Sequence, residues 1–307
     1  MSDIQRFEQL KKNIEADPTN FQSRREYAML CSDFGFNEAA IKHFYYLSTV
    51  FPNDANLYFN IGICFEKLKN FEFALEFYKK AIEINPNDSD FLFNLALCYD
   101  TLNMADEAIL EFKKVVCLEK TDSNSFFCLG CLYSKKNMTD KAIKCFQRAI
   151  FLNDEDYYAH FHLGNMYHSR KMYDEAIVQY RKVIDLSPDY SWAYFNLAQI
   201  FYERKDYENA IIMLNITLQK NKHDIEAYKL LCQLYMKFDD IQMAGDVLDE
   251  MKEETEVTGD WHYLSAVLEK KKGHLVKYKD FLENAIQNEE TLTFNLKAVL
   301  KELKDAG

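Results

Sequence analysis

Prolines punctuate secondary structure more sharply than any other residue. The four in this chain stand at positions 18, 52, 86 and 188, separated by multiples of 34. Seven alanines keep the same interval without a gap: Ala40, Ala74, Ala108, Ala142, Ala176, Ala210 and Ala244. Aromatics follow it at Phe65, Tyr99, Tyr133, Tyr167, Phe201 and Tyr235. A fixed period of this length means that one supersecondary unit is repeated along the chain, and it overrides the two globular domains that 307 residues would otherwise suggest.

The clearest unit is Ala55–Asp88, ANLYFNIGICFEKLKNFEFALEFYKKAIEINPND. Its Tyr58, Ile61, Gly62 and Phe65 match the W-x2-L-G-x2-Y opening of the tetratricopeptide repeat (TPR), and Ala74, Tyr78 and Pro86 match the later A-x3-F and P. The unit resembles that 34-residue helix–turn–helix, which implies two helices, each too short to stand alone in water. Small residues let the two cross closely: Gly62, Gly130 and Gly164 on the first helix, with Ala28, Ala96 and Ala198 at the same place in other units, and the periodic alanines on the second. Neither helix pair can cover its own apolar face, so units must stack.

The resemblance implies an all-α solenoid, a right-handed superhelix of antiparallel helix pairs forming one continuous domain over 1–307. Residues 1–20 read as a half-repeat cap, with Arg6 where the small residue should stand. Seven units fill 21–258, and 259–307 hold a degenerate repeat, with Tyr278 at the alanine position and Glu269 at the aromatic one, plus a terminal helix. Helices are expected at 260–271, 275–287 and 290–304, the last with Leu296, Val299, Leu300 and Leu303 on one face. Gly35, Asn103 and Asn137 mark turns between paired helices, where a left-handed backbone is needed.

Composition narrows function. The net charge of −12 argues against nucleic acid, whose phosphates require clustered Lys and Arg. The first residues, MSDIQRFEQLKKN, hold no apolar signal core, and no run of 18 apolar residues predicts a membrane span. Eight cysteines without an export signal read as thiols in a reducing compartment, which points to the cytoplasm. No phosphate loop, G-x-S-x-G or H-E-x-x-H appears, and no segment is left over for a catalytic domain, so neither an enzyme nor a cofactor is expected.

The resemblance implies that ligands bind on the concave surface lined by the first helices. Two neighbouring stripes fall there. One is Phe59, Phe93, Phe127, Phe161 and Phe195, flanked by Arg25 and Lys229; the other is Glu26, Asn60, Asn94, Cys128, His162, Asn196 and Leu230. An asparagine both donates and accepts, so it can hold a peptide backbone without reading side chains, and a phenylalanine beside it can grip an apolar side chain or a helix face. Tyr158, Trp192 and Tyr202 extend the same surface. The bland reading is that an aromatic followed by asparagine belongs to packing. The Lys/Arg clamp that some members of the family use on acidic chaperone tails is missing, since the equivalent positions are Gln22, Glu26, Asn56 and Asp90. The expected partner is therefore a protein or peptide that is neutral, basic or apolar, held by a scaffold or adaptor. Two other readings remain open. One is a self-associating component that dimerises through its C-terminal helices. The other is a metal- or redox-responsive regulator built on Cys128 and Cys131, although a lone C-x2-C is a weak zinc signature.

Overall fold

The computed structural model describes residues 3–305, and among them every regular element is a helix. The expected cap and terminal segment also include residues 1, 2, 306 and 307, which lie outside the described residues. Two compact units divide the chain at Asp154 and Glu155.

The first unit opens with α1 (Asp3–Ala16) and continues as four helix pairs. These are α2 (Phe21–Asp33) with α3 (Asn37–Val50), α4 (Ala55–Lys67) with α5 (Phe71–Ile84), α6 (Ser89–Thr101) with α7 (Ala105–Leu118), and α8 (Ser123–Lys135) with α9 (Thr139–Leu152). The second unit holds α10 (Tyr157–Ser169) with α11 (Tyr173–Leu186), α12 (Ser191–Glu203) with α13 (Tyr207–Lys220), α14 (Ile225–Lys237) with α15 (Ile241–Glu254), and α16 (Gly259–Lys271) with α17 (Leu275–Gln287). A single 3-10 turn (Glu289–Thr291) and α18 (Leu296–Asp305) complete it. In each unit a helix packs on its own partner and on the next pair along the chain.

The small residues do what their spacing predicts. A Cβ placed on Gly62 would lie 2.6 Å from ring carbons of Tyr78, one on Gly130 2.6 Å from Phe146, and one on Gly164 2.7 Å from Tyr180. The large ring of the second helix fills the space the glycine leaves. Where the small residue is alanine, the residue at the same offset is Phe44 for Ala28 and Phe112 for Ala96, all buried. Ala266 and Leu282 repeat the pairing in the degenerate unit, so the helix pair survives there although Tyr278, a buried tyrosine, stands at the period's alanine position.

Each pair turns at a residue with positive φ, between 56° and 80°: Gly35, Lys69, Asn103, Asn137, Lys171, Lys205, Asp239 and Gly273. The interval is again 34. The turn is a Schellman-type cap. In the second pair, for example, the Asn70 N–H donates to the Phe65 carbonyl at 2.9 Å and the Lys69 N–H to the Glu66 carbonyl at 2.8 Å. This geometry dominates over residue preference, which is why lysine occupies a position that sequence reasoning assigns to glycine or asparagine.

The C-terminal segment departs from expectation. In place of one helix over 290–304, the 3-10 turn is followed by a non-helical stretch that starts extended at Leu292 and bends at Phe294, and the helix begins only at Leu296. Thr291 and Thr293 are β-branched and use their hydroxyls in tertiary bonds, while the Asn295 side chain caps α18 by accepting from the Lys297 and Ala298 N–H groups at 3.0 and 3.3 Å. Val299 is buried with Ala266, Tyr278 and Leu282, and Leu303 packs at its edge, whereas Leu300 is exposed.

Two substitutions should move stability in opposite directions. Gly62→Ala should cost about 1–2 kcal/mol, because overpacking against Tyr78 outweighs the helix propensity gained. Lys171→Gly should gain about 0.5–1 kcal/mol by relieving a left-handed lysine. Urea denaturation of both variants checks the pair; a stabilising Gly62→Ala would mean that the close approach is not a constraint.

Candidate partner-binding site

The phenylalanine stripe has a packing role before any other. Phe59 lies 5.6 Å from Tyr78 between ring centroids, Phe93 5.4 Å from Phe112, Phe127 5.9 Å from Phe146, and Phe161 6.0 Å from Tyr180. Each leans on the same second-helix ring that fills the small-residue gap. Phe59, Phe93, Phe127 and Phe161 are half-buried, and Phe59 also meets Phe91 at 4.5 Å and Phe161 Tyr190 at 5.1 Å. Phe195 differs: it is 6% exposed and belongs to the core of the second unit. It offers a partner almost no surface.

In the first unit the Asn60 and Asn94 side-chain N–H groups turn back onto their own helices, donating to the Asn56 carbonyl at 2.7 Å and the Asp90 carbonyl at 2.8 Å. Near Phe93 the surface holds a small cavity of about 180 Å³ bordered by Asp90, Glu119, Asp122 and Asn124. Its polar, acidic border leaves little apolar surface to bury.

The equivalent place in the second unit, two repeats on, is enlarged and aromatic. A cavity of about 640 Å³ lies between α10 and α12, walled by Phe161, Tyr190 and Trp192, with Asn165 and Asn196 among its lining residues and His168, Lys171 and Glu203 at its edge. The Tyr190 ring stands 5.1 Å from Phe161, 5.4 Å from Tyr157 and 6.0 Å from Tyr158. Trp192 is 49% exposed. Burying such a ring under a ligand side chain is worth more than any single rim contact.

The two asparagines share one network. The buried Tyr180 hydroxyl donates to Asn165 Oδ1 at 2.7 Å, and Asn196 Nδ2 donates to the same oxygen at 3.4 Å. That leaves Asn165 its N–H donors, and Asn196 its carbonyl acceptor with a second N–H, so the pair offers both a donor and an acceptor to a peptide group. At the edge, Glu203 accepts from the Tyr173 hydroxyl at 2.7 Å and meets His168 Nε2 at 3.3 Å.

Tyr190 is not where a helix start wants a tyrosine. Asn20, Asp54, Asp88, Asp122, Asp156, Asp224 and Thr258 each cap a first helix by accepting a backbone N–H on the side chain. Tyr190 precedes α12 and makes no such bond. A cap of this kind contributes about 1 kcal/mol. The chain forgoes it at the one first helix whose start borders the large aromatic cavity, and departures from local rules concentrate at functional sites.

Other expected contact residues lie apart from the cavity. Tyr158 flanks its aromatic wall through Tyr190 and Tyr157. His162 sits against Phe161 at 5.8 Å, and burial holds its imidazole below the ordinary value, partly opposed by Asp156. Tyr202 is half-buried toward Tyr207 and Lys237. Asn165, His168, Tyr190 and Glu203 were missed from the sequence; Tyr190 was findable as the break in the aspartate series, whereas the others carry no periodic signal. Burial, reinforced by Cys131, Asp100 and Asp122, pushes the Cys128 thiol up to about 12, away from the reactive thiolate. Among the described residues no three His, Cys, Asp or Glu side chains come together as metal ligands.

Sequence profiles of the tetratricopeptide repeat match residues 55–88, 77–110, 124–156 and 192–222, and one described as a TPR repeat matches 164–204. No curated protein matches the chain. Among solved structures, MamA is 28% identical, with a TM-score of 0.52 over 53% of this chain and 95% of its own. YrrB, a TPR protein with an unusual peptide-binding site, is 26% identical, with a TM-score of 0.54 over 60% of this chain and 95% of its own. A tetratricopeptide repeat protein from Parabacteroides merdae shares the fold at 17% identity, with a TM-score of 0.59 over 82% of this chain and 98% of its own.

If Tyr190 serves a ligand, replacing it should cost the fold little. In Tyr190→Asp a cap of about 1 kcal/mol offsets ring contacts of about 0.5–1.5 kcal/mol, so stability should stay within about 1 kcal/mol of the parent in urea denaturation. A loss above about 2 kcal/mol would make Tyr190 a packing residue.

Proposed function

This chain belongs to the tetratricopeptide-repeat family, and from that premise we propose that it is a non-enzymatic scaffold holding an extended peptide of a partner protein against the first helices, with the Trp192 cavity as its anchor point. The observation that carries this reading is the Tyr190 exception, an aromatic wall built at the expense of a helix cap. Asn165 and Asn196 would hold the peptide backbone, and Phe161, Tyr190 and Trp192 would receive an apolar or basic side chain. The net charge of −12 favours a neutral or basic segment over an acidic one or a nucleic acid. The peptide-binding site attributed to YrrB is a parallel for this use of the fold. No helix among the described residues is long and apolar enough to cross a membrane. The cytoplasm is the proposed location, in keeping with cysteines such as Cys31, Cys64, Cys98 and Cys232 that are buried as small apolar residues.

The test is a cross-linked capture from native lysate with three baits: the parent, Trp192→Ala/Asn196→Ala, and Asn60→Ala/Asn94→Ala, each shown to fold alike. The reading predicts a partner whose recovery falls tenfold or more with the first pair. Undiminished recovery with both pairs would move the site off the first helices.

A further inference from the structure

The non-helical stretch after the 3-10 turn lies on the first-helix face, not over the end of the stack. Its contacts fall on the same repeat positions that line the cavity. Lys229 and Tyr263 occupy the place of Phe161 and Phe195 in the period, and Asp260 the place of Trp192. The Thr293 N–H donates to Asp260 Oδ1 at 2.6 Å, and its hydroxyl donates to Asp260 Oδ2 at 2.7 Å. Lys229 Nζ donates to that hydroxyl at 2.6 Å and pairs with Asp260 at 2.7 Å and Glu226 at 2.8 Å. The Phe294 ring packs 4.5 Å from Tyr263 and lies 5.5 Å from the Lys229 ammonium.

We propose that α14 and α16 form a second peptide site, for a non-helical segment carrying a threonine or serine followed by an aromatic residue, and that the chain fills this site with its own Leu292–Asn295. One carboxylate reads a backbone N–H and a hydroxyl of the same residue together, which selects a hydroxyl-bearing residue whose N–H is not engaged in a helix. The ring slot beside Tyr263 selects the aromatic that follows. With the arm in place Asp260 is 2% exposed and Lys229 7%, so Thr293 bonds to a buried ion pair.

Gly259 supports the assignment independently. The residue opening the other first helices of this unit is Tyr157, Ser191 or Ile225; only here is it glycine. A Cβ on Gly259 would stand 2.5 Å from the Asn288 carbonyl oxygen and 2.9 Å from Leu292 Cβ, and its N–H donates to Thr291 Oγ1 at 2.8 Å. The backbone is cleared where the arm passes over it. Leu292 and Phe294 share the apolar cluster of Val299, and the arm adds to that cover the polar contacts of Thr291 and Thr293. A partner segment with the same chemistry would compete with the arm for these groups. The site is separate from the Trp192 cavity, and each can fail without the other.

The experiment titrates a fluorescein-labelled peptide of residues 288–305 into the full-length chain. Thr293→Ala/Phe294→Ala weakens the internal arm and should bind the peptide at least tenfold tighter than the parent does, while a peptide carrying the same two alanines should not bind. Equal affinity of parent and variant for the unaltered peptide overturns the proposal. Should the double variant not fold, Thr293→Val, which keeps the volume and removes the hydroxyl, takes its place. It should gain at least threefold, and no gain would overturn the proposal equally.

Discussion

Everything in this chain rests on the closeness of two helices at one point per repeat. In the pairs from α2–α3 to α10–α11 a glycine or alanine on the first helix meets a large ring on the second, in the last three pairs a leucine takes the ring's place, and at Gly62, Gly130 and Gly164 there is no room even for a methyl group. Short helices of 13 or 14 residues are marginal alone, so the fold is stable only because this contact and the stacking of pairs remove apolar surface from water. The same rings support Phe59, Phe93, Phe127 and Phe161 from below. A residue line that could grip a ligand is therefore first a line that holds the repeat together.

That coupling explains what was legible in the sequence and what was not. Elements whose signal is periodic could be read: the helix pairs, their small-residue contacts, and the degenerate last pair. The turn residues were half legible. Their positions recur every 34 residues, but Lys69, Lys171 and Lys205 show that the Schellman geometry is imposed by the two helices and not by glycine or asparagine. Phe195 looked equivalent to Phe161, yet it is buried, because the second-helix residue at the matching offset is Leu214 and not an aromatic, and the ring sinks into the core. The segment after residue 288 follows no period, so its non-helical stretch could not be inferred from spacing.

The candidate site is legible only as an exception. Repeats of one architecture present nearly the same surface many times, and selectivity must come from the places where they differ. Asp122 and Asn124 border a small polar depression, while Tyr190 and Trp192, at the same positions two repeats later, wall a cavity more than three times larger. Asp260 and Gly259 are a second departure, and there the chain's own Thr293 and Phe294 lie on the surface. Both departures use the first-helix face. Both set hydrogen-bonding side chains beside an aromatic surface.

The most direct measurement is photo-cross-linking from single positions in the intact chain, with benzoylphenylalanine placed at Trp192 on the first-helix face or at exposed Val178 on α11. The account predicts that a partner protein is cross-linked from position 192, through one short segment, and not from position 178. Cross-links from 178 with none from 192, while the partner is still bound, would contradict it.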